Sequence, residues 1–303
     1  MISRMTSGAA CAFLFVTLTL PAQTGGSPGN PELEESLEAL AHSASNFAAS
    51  APGLLAEETL DQRGRRGFLD VVKGTIAKPK AIDVRLPDDF RTHRVLSSYG
   101  FAQMGENRAL HELRKIVSID GQTVSDAGEA RHAMTIGILA ADDRTKRQLL
   151  ENFEHEQLEG AITDFGQLIL LFSKRSQSDY LFTYAPAAQL GDEPAVVLAY
   201  RQISGTQGLT TFDQRTEDRQ MTGGQIWFRQ RDLLPLRITL NTERMISKKD
   251  AVRTEATVEY VPSPVGLVPA SVNQKQFLNS DLLVENDLHY ANFQRPGLPD
   301  LIP

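Results

Sequence analysis

The chain has 303 residues and carries 31 Lys plus Arg against 38 Asp plus Glu, a formal net charge of −7. An acidic balance of this kind gives no broad electrostatic footprint for nucleic acid or anionic lipid surfaces. With 41% hydrophobic residues the chain holds enough apolar material for one large core, and its one cysteine, Cys11, excludes an internal disulfide or a Cys-ligated zinc.

The first residues carry Arg4 as their only charge, followed by an uncharged run from Thr6 to Leu20 and then Pro21-Ala22-Gln23-Thr24. This is the layout of a secretory signal peptide. The apolar stretch from Ala9 to Leu20 is about a dozen residues, short of the ~20 that a spanning helix needs. The sequence therefore predicts a leader over residues 1–23, cleaved near Ala22 or Gln23. The mature chain, 24–303, is expected as a single domain in the periplasm or outside the cell, with no membrane span and no thiol. An uncleaved anchor is disfavoured by Pro21, and lipidation of Cys11 by the few residues ahead of it. Two local basic groups, Arg63, Arg65 and Arg66, and Arg144, Lys146 and Arg147, read as solvated faces.

After a Gly/Ser/Pro-rich lead-in over Gly25 to Pro31, Leu33, Leu37, Leu40, Ala41, Ala44 and Phe47 recur at helical spacing, which predicts an amphipathic helix over residues 32–49. Between Leu60 and Met104, glycines and prolines punctuate short runs such as Phe68 to Val72 and Arg94 to Phe101, and short strands are expected. His111 to Ile119 reads as a strand, with Asp120-Gly121 as a two-residue turn into Val124. The period then changes. Asp126 to Ile138, Asp142 to Leu158 and Phe165 to Phe172 read as helices, the second capped by Asp142 or Asp143 and ended by Gly160, the third capped by Thr163 or Asp164.

From Asp179 onward strand signals arrive at short intervals: Tyr180 to Tyr184, Ala195 to Ile203, Leu209 to Phe212, Gln225 to Arg229, Leu236 to Asn241, Arg253 to Val261, Ala270 to Phe277 and Leu283 to Phe293. The connections are too short for crossover helices, so neighbours should pair antiparallel. The expected fold is α+β, a large curved antiparallel sheet packed against several helices, with the helical segment 126–172 between two β regions.

Trp227-Phe228-Arg229, the turn through Asp232 to Pro235, and Leu236-Arg237-Ile238-Thr239-Leu240 with the longer strands after it resemble the half-barrel superfamily of outer-membrane lipoprotein carriers and lipoprotein receptors. The resemblance is one of pattern, over about Tyr180 to Phe293. It implies a curved sheet around a helical plug, with lipid held in an apolar cavity. His111-Glu112-Leu113-Arg114-Lys115-Ile116, Asp164-Phe165-Gly166-Gln167-Leu168 and Gln225-Ile226-Trp227 are similar to runs in a group of secreted proteins of soil bacteria with no assigned activity. This chain is longer than the carriers, and its added helices offer protein rather than lipid as the filling of the cavity.

No motif commits the chain to a reaction. His42, His93, His111, His132, His155 and His289 show no metal-ligand spacing, and Glu151, Glu154, His155 and Glu156 read as an exposed helix face. Ser204-Gly205-Thr206-Gln207-Gly208 lacks the glycine ahead of the serine that a nucleophile elbow requires, and is expected as a hairpin end. Asp142-Asp143 reads as capping rather than a glycosidase pair. Neither a metal nor a cofactor is expected. The remaining candidates are aromatic: Phe182, Tyr200, Trp227, Tyr260 and Tyr290 fall one per strand, and a curved sheet would gather several on its concave side to line a ligand site. The expected function is thus a non-catalytic envelope protein that binds an apolar ligand or lipoprotein lipid. The alternatives are an interaction protein with a filled core, whose partner is another envelope protein, and an unrecognised hydrolase.

Overall fold

The computed structural model describes residues 31–65, 89–155, 164–205, 209–213, 216–246 and 248–297. The expected leader, the lead-in through Asn30, the Phe68 to Val72 run, Gly160 and Thr163 lie outside the described residues, as does Thr206-Gln207-Gly208 of the hairpin end.

Helix α1, Pro31–Ser50, buries Ser36, Leu40, Ser43, Ala44 and Phe47, a stripe at three- and four-residue spacing. The chain then enters β1 (Leu55–Arg65), β2 (Phe90–Met104), β3 (Ala109–Ile119) and the two-residue β4 (Gln122–Thr123). Asp120 and Gly121 make the β3–β4 turn at φ 51° and 77°, the left-handed pair that this kind of hairpin demands. Helices α2 (Ala127–Leu139) and α3 (Asp143–His155) follow. The Asp126 carboxylate accepts from the N–H groups of Gly128 and Glu129 and so caps α2, and Asp142 accepts from that of Arg144, so the cap expected there forms. Ten further strands complete the chain: β5 (Tyr180–Tyr184), β6 (Ala188–Leu190), β7 (Glu193–Gln202), β8 (Leu209–Asp213), β9 (Thr216–Gln220), β10 (Gly223–Arg229), β11 (Leu234–Met245), β12 (Ala251–Ser263), β13 (Gly266–Leu278) and β14 (Asp281–Gln294).

Twelve strands form one antiparallel sheet in the order β4-β3-β2-β1-β14-β13-β12-β11-β10-β7-β5, with β6 also beside β7, while β8 and β9 pair separately. Early strands close onto the last one, since β1 pairs with β14 from Leu55↔Gln294 to Gly64↔Val284. The sheet is curved. The Phe47 ring lies 5.6 Å from that of Phe101 on β2 and 6.3 Å from that of Tyr260 on β12, so these two rings are no more than about 12 Å apart. Four strand steps separate β2 from β12, and a flat sheet would hold them ~19 Å apart.

Three expectations are corrected. Phe165 to Phe172 is not an α-helix: Asp164 takes φ +67°, and only Leu168–Phe172 coils, as a 3-10 helix. Asp164 caps nothing there, because its carboxylate is held by β3 as described below. The helices also divide between faces. Helix α1 and the 3-10 turn fill the inner face, whereas Met134 and Ile138 of α2 and Leu149 of α3 pack on Leu55, Ala102 and Leu113 of the opposite face. Finally, Lys146 is no solvated charge: it is buried, and its ammonium donates to the Gln103 carbonyl at 2.9 Å.

Candidate functional site

Strand register sorts the inner face into bands. One lateral row is aliphatic: Leu60 of β1 faces Leu288, which faces Val272, then Val258, Ile238 and Ile226 of β10. Every one of these side chains is at most 3% exposed. Two residues further along the strands the row turns to amides. Gln62 donates to Asn286 and Asn286 to Gln274, each at 2.8 Å. The next row continues with Gln276, Thr254 and Thr242. On the other side of the aliphatic row lies a charged cluster.

That cluster spans three strands. The Arg114 guanidinium on β3 donates to both oxygens of Glu58 on β1 and to Glu112 beside it, and stands 5.0 Å from the centre of the Tyr99 ring on β2. All three charged side chains are 1–2% exposed. Glu112 has a second role, since its carboxylate accepts from the N–H groups of Asp164 and Gly166 at 2.9 and 2.7 Å. In return Asp164 accepts from the Glu112 N–H at 2.8 Å and sits 3.3 Å from His111 Nδ1, while the Gln167 amide donates to the Leu110 carbonyl. Only a glycine fits at 166, where a Cβ would stand 2.6 Å from Glu112 Oε1 and 3.2 Å from the Tyr99 hydroxyl. The two runs Glu112-Leu113-Arg114 and Asp164-Phe165-Gly166, remote in sequence, are thus one clasp that fixes the segment leading into the 3-10 turn.

Burial raises the Glu112 carboxyl above its ordinary range; the Arg114 charge opposes this, and the neighbouring Asp164 and Glu58 charges add to it. Burial also raises the phenols of Tyr99 and Tyr290 beside it. The His111 imidazole is raised by its hydrogen bond to Asp164, against the opposing effect of burial. Two carboxylates share a site here, and both are enclosed and paired with Arg114.

Of the five aromatics expected to line a site, the structure gathers four on the inner face and separates one. Phe182 and Tyr200 surround Phe172 of the 3-10 turn at 6.2 and 4.8 Å. Tyr260 packs on Phe47, and its hydroxyl accepts from the Ile169 N–H at 3.1 Å. Tyr290 lies against Tyr99 at 4.6 Å, next to the charged cluster. Trp227 is on the opposite face, because its neighbours Ile226 and Phe228 are the fully buried pair, and its ring instead meets the Arg237 guanidinium at 5.4 Å. The sequence reading missed Glu58, Glu112 and Arg114. The signal was present, as Glu112 and Arg114 alternate in step with the buried Ile116 and therefore face the core.

Helix α1 and the 3-10 turn pack on the inner face in one continuous buried cluster with the sheet. Two open depressions lie at its margins and on its back: one of about 570 Å³ where α1 meets the sheet, between Asn46, Ser50, Leu234, Leu267 and Arg295, and one of about 450 Å³ on the outer side, between Asp61, Arg63, Arg94 and Asp287. No group of three or more potential metal ligands comes together among the described residues. Nor is any described helix long and apolar enough to cross a membrane. The side chains of Glu151, Glu154, His155 and Glu156 lie outside the description.

The architecture is that of a half-barrel-like α+β protein, a curved antiparallel sheet closed around its own helix. No protein-family model matches the chain, and no curated protein does. Among solved structures, a LolA superfamily protein from Nitrosomonas europaea is similar over 87% of this chain and 95% of its own, at 10% identity and a TM-score of 0.32. A DUF1329 family protein from Desulfovibrio piger is similar over 86% of this chain and 92% of its own, at 8% identity and a TM-score of 0.37.

Proposed function

We propose that the protein is an exported, non-catalytic binding protein of the bacterial cell envelope, which takes an apolar chain onto the inner face of its sheet when α1 moves off it. The observation that carries this reading is the unequal fastening of the two elements on that face. The segment entering the 3-10 turn is clasped by the buried Glu112 carboxylate. Helix α1 has no such clasp among the described residues. It is held by apolar contacts of Leu40, Ala44 and Phe47 and by ties at its margin: exposed Glu38 to Lys174, the Leu37 carbonyl to Gln177, and the Ser50 and Pro52 carbonyls to Arg295. An exposed pair of this kind is worth under ~1 kcal/mol.

Displacing α1 exposes aliphatic surface, and an acyl chain restores the burial at about 0.8 kcal/mol per methylene. The exchange is apolar for apolar, so ten or so methylenes replace the few large side chains of α1 at little net cost. The ligand class is accordingly lipid or the lipid of a lipoprotein.

The test fastens α1. Cys11 is the chain's only cysteine and lies in the expected leader, so Glu38→Cys with Lys174→Cys in the mature chain gives a unique pair for a short bismaleimide. Uptake of a fluorescent acyl probe is expected in the uncross-linked double variant and lost on cross-linking. A filled core favours a second reading, an interaction protein with no ligand cavity. Failure of the probe to bind the free protein, with no lipid seen by native mass spectrometry of protein from its own host, would establish that reading instead.

A further inference from the structure

We infer that Gln274 is the hydrogen-bond donor for the carbonyl of an acyl ester, so that the ligand is a fatty-acid ester of glycerol rather than a hydrocarbon or an ether lipid. The inference rests on the binding-protein reading above and specifies its ligand.

The amide row has a direction. Gln62 donates to Asn286, and Asn286 donates to the Gln274 carbonyl oxygen. The row therefore ends on the Gln274 amide nitrogen, which finds no acceptor among the described residues although Gln274 is 0% exposed. A ladder that staples β1, β14 and β13 explains the first two bonds. It does not explain a terminal donor left unpaired in the interior, where a lost hydrogen bond is not made good by water. Across from Gln274 on β12 stands Ala256, whose small side chain supplies neither an acceptor nor bulk. Val272 of the aliphatic row lies two residues back along β13, about 7 Å away. A chain whose acyl end lies over Val272 and whose methylenes run along that row toward Ile226 brings its carbonyl next to the Gln274 amide. An ester carbonyl accepts and does not donate, which is what this donor lacks. The neighbouring Gln276, Thr254 and Thr242 are uncharged, so the glycerol hydroxyls meet further hydrogen-bonding groups.

The decisive comparison uses two competitors of the acyl probe on the mature protein, 1-monooleoylglycerol and its 1-O-oleyl ether, which share chain and glycerol and differ in the carbonyl. The ester should bind about five- to tenfold more tightly than the ether. Gln274→Leu should remove that preference by weakening the ester alone, and Gln62→Leu, at the far end of the ladder, should keep it. If Gln274→Leu does not fold, as judged by its thermal transition, Gln274→Met takes its place. Equal affinities in the unaltered protein, or a preference that survives loss of the Gln274 amide, overturn the assignment while the binding-protein reading stands. If neither glyceride displaces the probe, or the probe itself does not bind, that reading falls and the assignment with it.

Discussion

Arg114 and Glu58 meet across an intervening strand: the guanidinium reaches from β3 over β2 and places its Nε 2.8 Å from both Glu58 oxygens on β1. Both side chains are enclosed, at 1% and 2% exposure. Charges this deep are tolerable only as a set, because each alone would carry a desolvation penalty of several kcal/mol. Arg114→Met should therefore destabilise the protein by about 3–5 kcal/mol, by stranding two carboxylates. The triple change Arg114→Met, Glu58→Leu and Glu112→Gln should be markedly less harmful than the single one. Guanidinium unfolding curves for the two variants check this, and a triple variant no better than the single one would show that the cluster does not act as a unit.

Glu112 gives the protein a signature in its pH dependence. Its folded-state pKa is raised above the ordinary 4.5, so the folded chain holds this proton more tightly than the unfolded one. Stability from that group is full below pH 4.5 and is lost as pH rises through the folded value. Glu112→Gln has no such titration. Denaturation midpoints measured from pH 4 upward should fall with pH in the unaltered protein by an increment absent from the variant. The slope is the readout, since the amide also forfeits an acceptor for the Asp164 N–H and lowers the whole curve. Parallel curves would refute the raised pKa.

The sheet was legible because it is written in a two-residue period: β5 falls on Tyr180 to Tyr184 as expected, and β10 to β14 fall within a few residues of the alternations that announced them. The 20-residue α1 was equally plain. Of the strands that were missed, β6 and β9 are only three and five residues long, whereas the eleven-residue β1 was hidden because polar Glu58 and Gln62 occupy its buried positions and break the apolar alternation. Leu168-Ile169-Leu170-Leu171 looked helical because an unbroken aliphatic run has no period to read, and its tight coil is imposed from outside, by β3 gripping Asp164 and Gly166. The charged cluster escaped for a different reason. Charge suggests solvent, and only pairing across three strands, which no local pattern records, makes Glu58, Glu112 and Arg114 acceptable inside.

Adjacent glycines in β10 make a matched pair for testing how closely two strands approach. A Cβ on Gly224 would stand 2.1 Å from the Thr239 carbonyl oxygen of β11, a backbone atom that cannot move aside without breaking the pairing. A Cβ on Gly223 meets nothing nearer than 3.4 Å. Gly224→Ala should cost about 3 kcal/mol or more, the upper end for overpacking, and Gly223→Ala less than about 1 kcal/mol. Thermal melts of both variants decide it, and similar melting points would place β10 further from β11 than described.

Trp227 is the chain's only tryptophan and therefore a reporter of which face the ligand uses. It sits on the outer side of β10, stacked toward Arg237, while Ile226 and Phe228 on either side of it point inward. A ligand held on the inner face is separated from the indole by the thickness of the sheet. An acyl chain brominated along its length quenches tryptophan on contact, so it should bind without dimming Trp227. Trp227→Phe should likewise leave acyl-probe affinity within about twofold, well under the tenfold that 1.4 kcal/mol represents. Moving the reporter inward reverses the expectation: in Trp227→Phe with Tyr260→Trp, an indole replaces the phenol that packs on Phe47, and the same brominated chain should quench it as α1 yields its place. Strong quenching at Trp227 with none at position 260 would put the ligand on the outer face and remove the basis for assigning the inner face to it.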